Sequence, residues 1–403
     1  MNAEIIIVGN ELSSCVAAFT AADVIANELK KYGVVQKSRY YVASKENDVV
    51  EAIKESVARY DITILTGCTV SFPPLASRSI AECAGLDIVE NDEMFEEIKK
   101  YARRHGATVT DSARPYARIP RGAELLKCED VPIPGYILRH RGKTVVVLSG
   151  CAENVGILCQ KRFPDVFADS SPAGVTRRVG LINCTVSDAH REANRICELV
   201  RGVTASVVQS VAEINVDFHA EDGESVQRAV DLMENGSLSG SVYGVDTDMP
   251  TALVHKLITF GHKLATAESC TGGLVAKLIT DIAGASEVFP GGIVSYANEV
   301  KMETLGVSSS TLIEHGAVSH QCAVQMADGV RKKMDVDWSI GITGLAGPGG
   351  GTPEKPVGLV YIAVASRRRT TVAKYNIAGD RETVRSTVAK YAMRSLLTRM
   401  MKH

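Results

Sequence analysis

Apolar and polar positions alternate along this chain with two periods, and the period changes twice. Glu4 to Val8 is a short apolar run of strand length, and Ala21, Val24, Ile25 and Leu29 then recur at helical spacing up to Gly33. Val50–Val57 and Glu93–Arg104 repeat the helical period, whereas Ile62–Leu65 is a strand of buried type and Lys143–Leu148 a largely apolar one. Strands of that composition separated by helices predict a mostly parallel sheet covered on both faces. Pro164 through Gly174 is rich in Pro, Ser, Asp and Gly and marks a boundary.

Beyond it, Ser187 is placed to cap a helix whose Ala193, Ile196, Cys197 and Val200 share a face. Glu213–Ala220 alternates without a slip, which predicts a strand with one wet side. Ser225 opens a second helix striped by Val226, Ala229, Val230 and Met233. Two helices on one face of a small antiparallel sheet fit this segment, and Asn235–Met249 closes it. Asp248 and Pro250 then start a helix carrying Leu253, Leu257 and Ile258. Apolar runs ending at Ala267, Ser295, Gly344 and Ala365 follow, with a helix from Ser319 and a terminal helix from about Asp380. The expected architecture is α/β and multidomain. Two three-layer α/β domains with mostly parallel sheets, residues 1–168 and 248–403, are joined by a small α+β domain, residues 172–246.

Length agrees, since 403 residues exceed one ordinary core. A net charge of −2 leaves no general footprint for nucleic acid or an anionic membrane, so neither is expected as a partner. The one basic run, Arg367–Arg369, reads as a solvated hairpin rim. The opening MNAEIIIVGNEL lacks the basic lead of a signal peptide and the length of a membrane span. Ten scattered cysteines without a C-x-x-C pair read as reduced thiols, and the expected location is the cytoplasm. His190 and His219 are lone and read as surface or structural residues.

Chemistry concentrates between Leu264 and Lys301. An apolar strand breaks at Glu268-Ser269-Cys270-Thr271-Gly272-Gly273 and an amphipathic helix follows. The N–H groups of a new helix, and its dipole, favour an anion or a developing oxyanion there. Ser269 otherwise reads as a helix cap, Tyr296 as strand-end packing and Lys301 as a solvated charge. Together they supply a hydroxyl nucleophile, a hydrogen-bonding partner and, if desolvation strips its proton, an amine base. A second element is the glycine-rich segment Gly347–Gly358 after Thr343-Gly344. Side-chain-free N–H groups there can approach phosphate oxygens, and two prolines and Lys355 suggest a stiffened loop. No Gly-Lys-Ser/Thr follows, so it is not a P-loop.

These segments resemble the C-terminal domain of the CinA (competence/damage-inducible) family. The resemblance is carried by Ala265–Gly273, Gly291–Lys301, Glu314–Ser319, Gly341–Gly358 and Gly379–Arg385. It implies hydrolysis of the carboxamide of nicotinamide mononucleotide to nicotinate mononucleotide and ammonia. It also implies Ser269 as nucleophile, Tyr296 and Lys301 as its activating partners, no metal or other cofactor, and a homodimer. Thr271, Gly272, Gly273, Thr343, Gly344, Gly349, Gly350 and Arg381 are the expected substrate contacts. The competing reading is a nucleotide-binding sensor or regulatory protein.

The front of the chain resembles the same family's molybdopterin-binding-like domain, which in some members hydrolyses ADP-ribose. Its site departs from the family pattern. Gly9-Asn10-Glu11-Leu12 stands for Gly-Thr-Glu-Leu, and Thr66-Gly67-Cys68 leads into Pro73-Pro74 without the family's Asp-Asp pair. Ser149-Gly150-Cys151-Ala152 stands for Pro-Gly-Pro-Pro. Cys15, Cys68 and Cys151 each follow a predicted strand, so they could converge as zinc ligands or, more simply, pack as small apolar fillers. Without paired carboxylates a hard divalent cation lacks ligands. Incubating the protein with ADP-ribose and Mg2+ or Mn2+ should therefore give no turnover, and robust hydrolysis would overturn this reading.

Overall fold

In the computed structural model, residues 1–9, 12–168 and 174–402 are described, with backbone alone for 12–18. The chain divides into Met1–Ala173 and Gly174–His403. The first unit runs β1 (Asn2–Val8), α1 (Leu12–Lys30), β2 (Val35–Val42), α2 (Glu46–Arg59), β3 (Ile62–Gly67), α3 (Phe72–Ala84), β4 (Ile88–Glu90) and α4 (Asp92–Arg104). It continues with β5 (Arg118–Pro120), β6 (Glu124–Leu126), β7 (Gly135–His140), β8 (Lys143–Ser149) and α5 (Ala152–Val166). The main sheet has the order β2-β1-β3-β8-β7-β6, parallel from β2 to β8 and antiparallel beyond. Side chains of β1 alternate between the two layers as the pleat requires. Ile5 and Ile7 pack with α1 and α5, while Ile6 and Val8 face α2 and α3.

The boundary expected from Pro164 starts too early, because Pro164 lies inside α5. It sits in the last turn, where a single lost backbone bond is tolerated. Asn10 and Glu11 of the first loop lie outside the described residues, as does the Cys15 side chain. Cys68 and Cys151 do follow neighbouring strand ends, since the Gly150 N–H donates to the Gly67 carbonyl at 3.1 Å. Among the described residues no group of three His, Cys, Asp or Glu is arranged to hold a metal.

The second unit begins with β9 (Val175–Leu181), α6 (Val186–Leu199), β10 (Thr204–Ser210), β11 (Glu213–Ala220), α7 (Gly223–Glu234) and β12 (Val242–Val245). These form an antiparallel sheet, β10-β11-β9-β12. Ile214, Val216, Phe218 and Ala220 of β11 pack with the stripes of α6 and α7. The cap of α6 falls elsewhere than Ser187, and α7 starts two residues before Ser225. Thr185 and Asp188 form a reciprocal capping box, and the Asp222 carboxylate accepts from the Ser225 N–H. An oxygen two or three residues before the first free N–H reaches it, which a serine inside the turn cannot do.

The chain then continues through α8 (Met249–Phe260), β13 (Leu264–Glu268), α9 (Leu274–Thr280), β14 (Gly291–Val294), α10 (Asn298–Leu305), α11 (Ser309–Glu314) and α12 (His320–Lys333). Strands β15 (Trp338–Gly344), β16 (Leu359–Ser366) and β17 (Thr370–Asn376) and helix α13 (Arg381–Met400) complete it. The sheet order is β14-β13-β15-β16-β17, with β14, β13 and β15 parallel and the last two antiparallel. Asp248, Ser319 and Asp380 cap α8, α12 and α13 as their positions predict. At the β16–β17 turn, Arg367 pairs with Asp335 and Asp337, in keeping with a hairpin rim. Helices α8, α9 and α13 cover one face with Leu253, Val275 and Val388, and α12 covers the other.

Helix α12 lies unusually close to its neighbours. A Cβ on Gly341 would meet the Ala323 carbonyl oxygen at 2.6 Å, and one on Gly329 would meet the Leu305 carbonyl oxygen at 1.9 Å. Gly→Ala within a helix ordinarily stabilises by ~0.5–1 kcal/mol. Gly329→Ala should instead destabilise by ~1–3 kcal/mol through overpacking against α10. Gly240→Ala, which meets open space, should leave the urea midpoint within error. Equal midpoints for all three proteins would refute the close approach.

Candidate active site

The carboxyl ends of β13, β14 and β15 lie side by side, at the edge where parallel sheets collect ligands. The Ser295 N–H donates to the Glu268 carbonyl at 2.8 Å, and the Ser269 N–H donates to the Ile342 carbonyl at 3.0 Å. These bonds set Ser269, Ser295-Tyr296 and Thr343 next to one another beyond three adjacent strands.

The turn from β13 into α9 is organised by Glu268. This side chain is 1% exposed, and its carboxylate accepts from the N–H groups of Gly273 at 3.0 Å, Val275 at 3.1 Å and Ala276 at 2.9 Å. The first N–H groups of a helix need acceptors, and the capping residue here, Gly273, has no side chain to help. Helix α9 therefore starts at Leu274, after the turn, and Ser269 is not its cap. The expectation that the Ser269–Gly273 stretch offers its N–H groups to an oxyanion is narrowed, because the protein's own carboxylate occupies that of Gly273 together with those of Val275 and Ala276. The Gly272 N–H is also engaged, by the Ser269 carbonyl at 3.1 Å. Gly272 and Gly273 have φ of +61° and +93°, a conformation that explains two glycines in succession. Burial pushes the Cys270 thiol up to about 11, against the pull of the N–H groups of Cys270 and Thr271. The Thr271 hydroxyl is buried without a partner among the described residues.

Lys301 is buried, 1% exposed, where the sequence alone suggested a solvated charge. Helix α10 turns it inward on the face that also buries Leu305. Its Nζ donates to the Ser295 carbonyl at 2.7 Å and the Tyr296 carbonyl at 3.2 Å. Among the described residues no carboxylate pairs with it. Burial lowers its pKa below the usual lysine value, opposed by the electrostatic influence of Cys322 and Cys270. Tyr296 is not packed at the strand end but is 61% exposed, and its hydroxyl accepts from Arg381 at 2.8 Å.

Arg381 also donates to the Gly347 carbonyl at 2.7 Å, so it ties Tyr296 to the glycine-rich loop. That loop is braced, since the Gly358 N–H donates to Leu345 at 2.7 Å and Lys355 Nζ donates to the His315 carbonyl at 2.6 Å. Gly349 and Gly350 lie on its exposed stretch. Thr343 is 1% exposed and its hydroxyl donates to the Ala317 carbonyl at 2.7 Å, so it is a brace rather than an open donor. Gly344 belongs to the β15–β16 ladder.

Two functional residues were not singled out from sequence. Glu268 closes a largely apolar, fully buried strand, an arrangement that asks for a buried partner. Arg385 follows Arg381 by four residues and so shares its helix face. It clamps the Thr271 carbonyl at 2.8 and 3.3 Å.

The fold and the polar cluster define a multidomain α/β chain whose last lobe presents a serine, an exposed tyrosine and a buried lysine at one sheet edge. Residues 246–400 match the family model CinA C-terminal domain, and residues 4–163 match Probable molybdopterin binding domain. A competence-damage inducible protein by name, from Thermoanaerobacter pseudethanolicus, is 32% identical over 98% of this chain and 97% of its own. A CinA-like protein of Anaeromyxobacter dehalogenans is 32% identical over 98% and 99%. The crystal structure of competence/damage inducible protein CihA from Agrobacterium tumefaciens covers 39% of this chain and 98% of its own, with 37% identity and a TM-score of 0.37. The chain belongs to the CinA, competence/damage-inducible, family.

Glu268→Gln keeps the shape but only one accepting oxygen for three N–H groups. It should lower stability by ~1.5–3 kcal/mol, the scale of hydrogen bonds to a charged group. Urea denaturation monitored by far-UV circular dichroism reads the loss, and an unchanged midpoint would remove Glu268 from this role.

Proposed function

We propose that the last lobe hydrolyses the carboxamide of nicotinamide mononucleotide, with Ser269 as nucleophile. The observation that carries the reading is Lys301, desolvated and held by two carbonyls and, among the described residues, by no carboxylate. A neutral amine has two N–H groups and one lone pair. Donation to Ser295 and Tyr296 uses both N–H groups, leaving the lone pair to act as a base. An ammonium would carry a third N–H in a buried site with no partner for it among the described residues, which is costly.

Lys301 takes the proton of the Ser269 hydroxyl as its oxygen bonds to the carboxamide carbon. The same proton passes to the departing nitrogen, the C–N bond breaks, and ammonia leaves. Water, deprotonated by Lys301 in turn, then cleaves the ester to release nicotinate mononucleotide and restore Ser269. With the α9 start filled by Glu268, charge on the carboxamide oxygen is met by the Tyr296 O–H. The Tyr296 oxygen already accepts from Arg381, so its own proton is free to donate. The nucleotide phosphate falls to the exposed amides of Gly349 and Gly350 and to Arg381. The remaining expected contacts, Thr271, Gly272, Gly273, Thr343 and Gly344, act by shaping the two turns around the substrate.

Ser269→Ala should reduce ammonia release from the nucleotide to background, and Lys301→Met should lower kcat by ~10²–10⁴. Release at the parent rate from Ser269→Ala would refute the assignment. The base works only when unprotonated, so kcat/KM should rise with pH through the lowered Lys301 pKa and level off below the ordinary lysine value of about 10.4. Lys301→Met should lose that ascending limb. Stability moves in the same sense. Between the folded pKa and the unfolded one, the unfolded chain binds more protons at this site, so the contribution of Lys301 to stability grows as pH rises through that window.

A further inference from the structure

Away from the Ser269 edge, a cleft of about 680 Å3 opens between the antiparallel sheet and the middle of α13. Its volume falls in the range of roughly 300–1,000 Å3 typical of small-molecule sites. One wall is α13, contributing Lys390, Tyr391 and Arg394. Lys390 and Arg394 are four residues apart and so lie on one helix face. Neither side chain forms a hydrogen bond or ion pair with any described residue, although the surface elsewhere pairs most of its arginines. The Tyr391 ring, which also lines the cleft, is braced against Tyr375, with ring centroids 4.8 Å apart.

The opposite wall is the β10–β11 turn and the end of β9. Ala212 in that turn has φ +72°, an uncommon conformation for a residue with a Cβ, and is 7% exposed. It packs into the same apolar core as Leu253 and Val388, so the turn is pinned in place. Across the mouth, Asn183 is fixed to the end of α13 by the Thr398 hydroxyl at 3.0 Å. The one carboxylate in the lining, Glu213, is already engaged by the Tyr243 hydroxyl. The cleft thus has rigid walls, two unpaired cations, an aromatic ring and a satisfied acid.

We propose that this cleft is a second ligand site, for a small phosphate-bearing molecule of mononucleotide size, with the phosphate between Lys390 and Arg394. It stands independently of the chemistry at Ser269. Two cations on adjacent helical turns suit a phosphate monoester, because an arginine fork and a lysine point charge together satisfy its oxygens. The remaining space, between Tyr391 and the pinned turn, takes the ligand's organic part.

Isothermal titration of the full chain with adenosine 5′-monophosphate, inorganic phosphate and adenosine tests this. The monophosphate should bind, inorganic phosphate should compete with it, and adenosine should bind at least tenfold more weakly. The double variant Lys390→Gln/Arg394→Gln should lose at least tenfold in monophosphate affinity while its ammonia release from nicotinamide mononucleotide stays at the parent level. Val211→Glu, at an exposed position on the other wall, should weaken binding through repulsion and guards against a folding defect in the double variant. Unchanged affinity in both variants, or no binding of monophosphate or phosphate at millimolar concentration, would overturn the proposal.

Discussion

A buried carboxylate governs the geometry of the last lobe. Glu268 leaves water at the end of β13 and recovers three backbone hydrogen bonds at the start of α9. Burying a charge is tolerable only when its lone pairs are met this fully. Strand end and helix start become one rigid unit, and the five residues between them have little freedom. Ser269 is thereby fixed beside the ends of β14 and β15. Arg385 secures the same turn from the other side through the Thr271 carbonyl.

Against that frame, Lys301 is the contrasting case. Among the described residues it meets carbonyl acceptors and no carboxylate, and burial works against protonation. Two charged residue types are buried within one site, one fully compensated as an ion and the other biased toward neutrality. The difference between the two follows from their partners rather than from depth.

Much of this was legible in the chain. Largely apolar runs gave the parallel strands, the strict alternation of Glu213–Ala220 gave the half-wet strand, and Asp248, Ser319 and Asp380 announced their helices. The motifs around Ser269, Tyr296 and Lys301 pointed to one sheet edge. Other features depended on contacts that spacing does not encode. Pro164 read as a break because a proline in the last turn looks the same as one in a loop. Ser187 looked like a cap because composition cannot tell an Ncap from a residue inside the first turn. The burial of Lys301 was hidden because α10 is only eight residues long, too short for a clear apolar stripe to assign its inward face. The occupation of the α9 start by Glu268 was hidden for a related reason: the acid precedes the helix by six residues and reaches it only because the turn doubles back.

Helix α13 joins places that are distant in sequence. Arg381 and Arg385 reach the glycine loop and the Ser269 turn from its first two turns, and Thr398 reaches Asn183 from its last. At 1.5 Å per residue those ends stand roughly 25 Å apart on one continuous rod. Helix α13 thus acts as a strut between these places. A disturbance of this one helix would therefore be felt at the glycine loop, at the Ser269 turn and at Asn183 together.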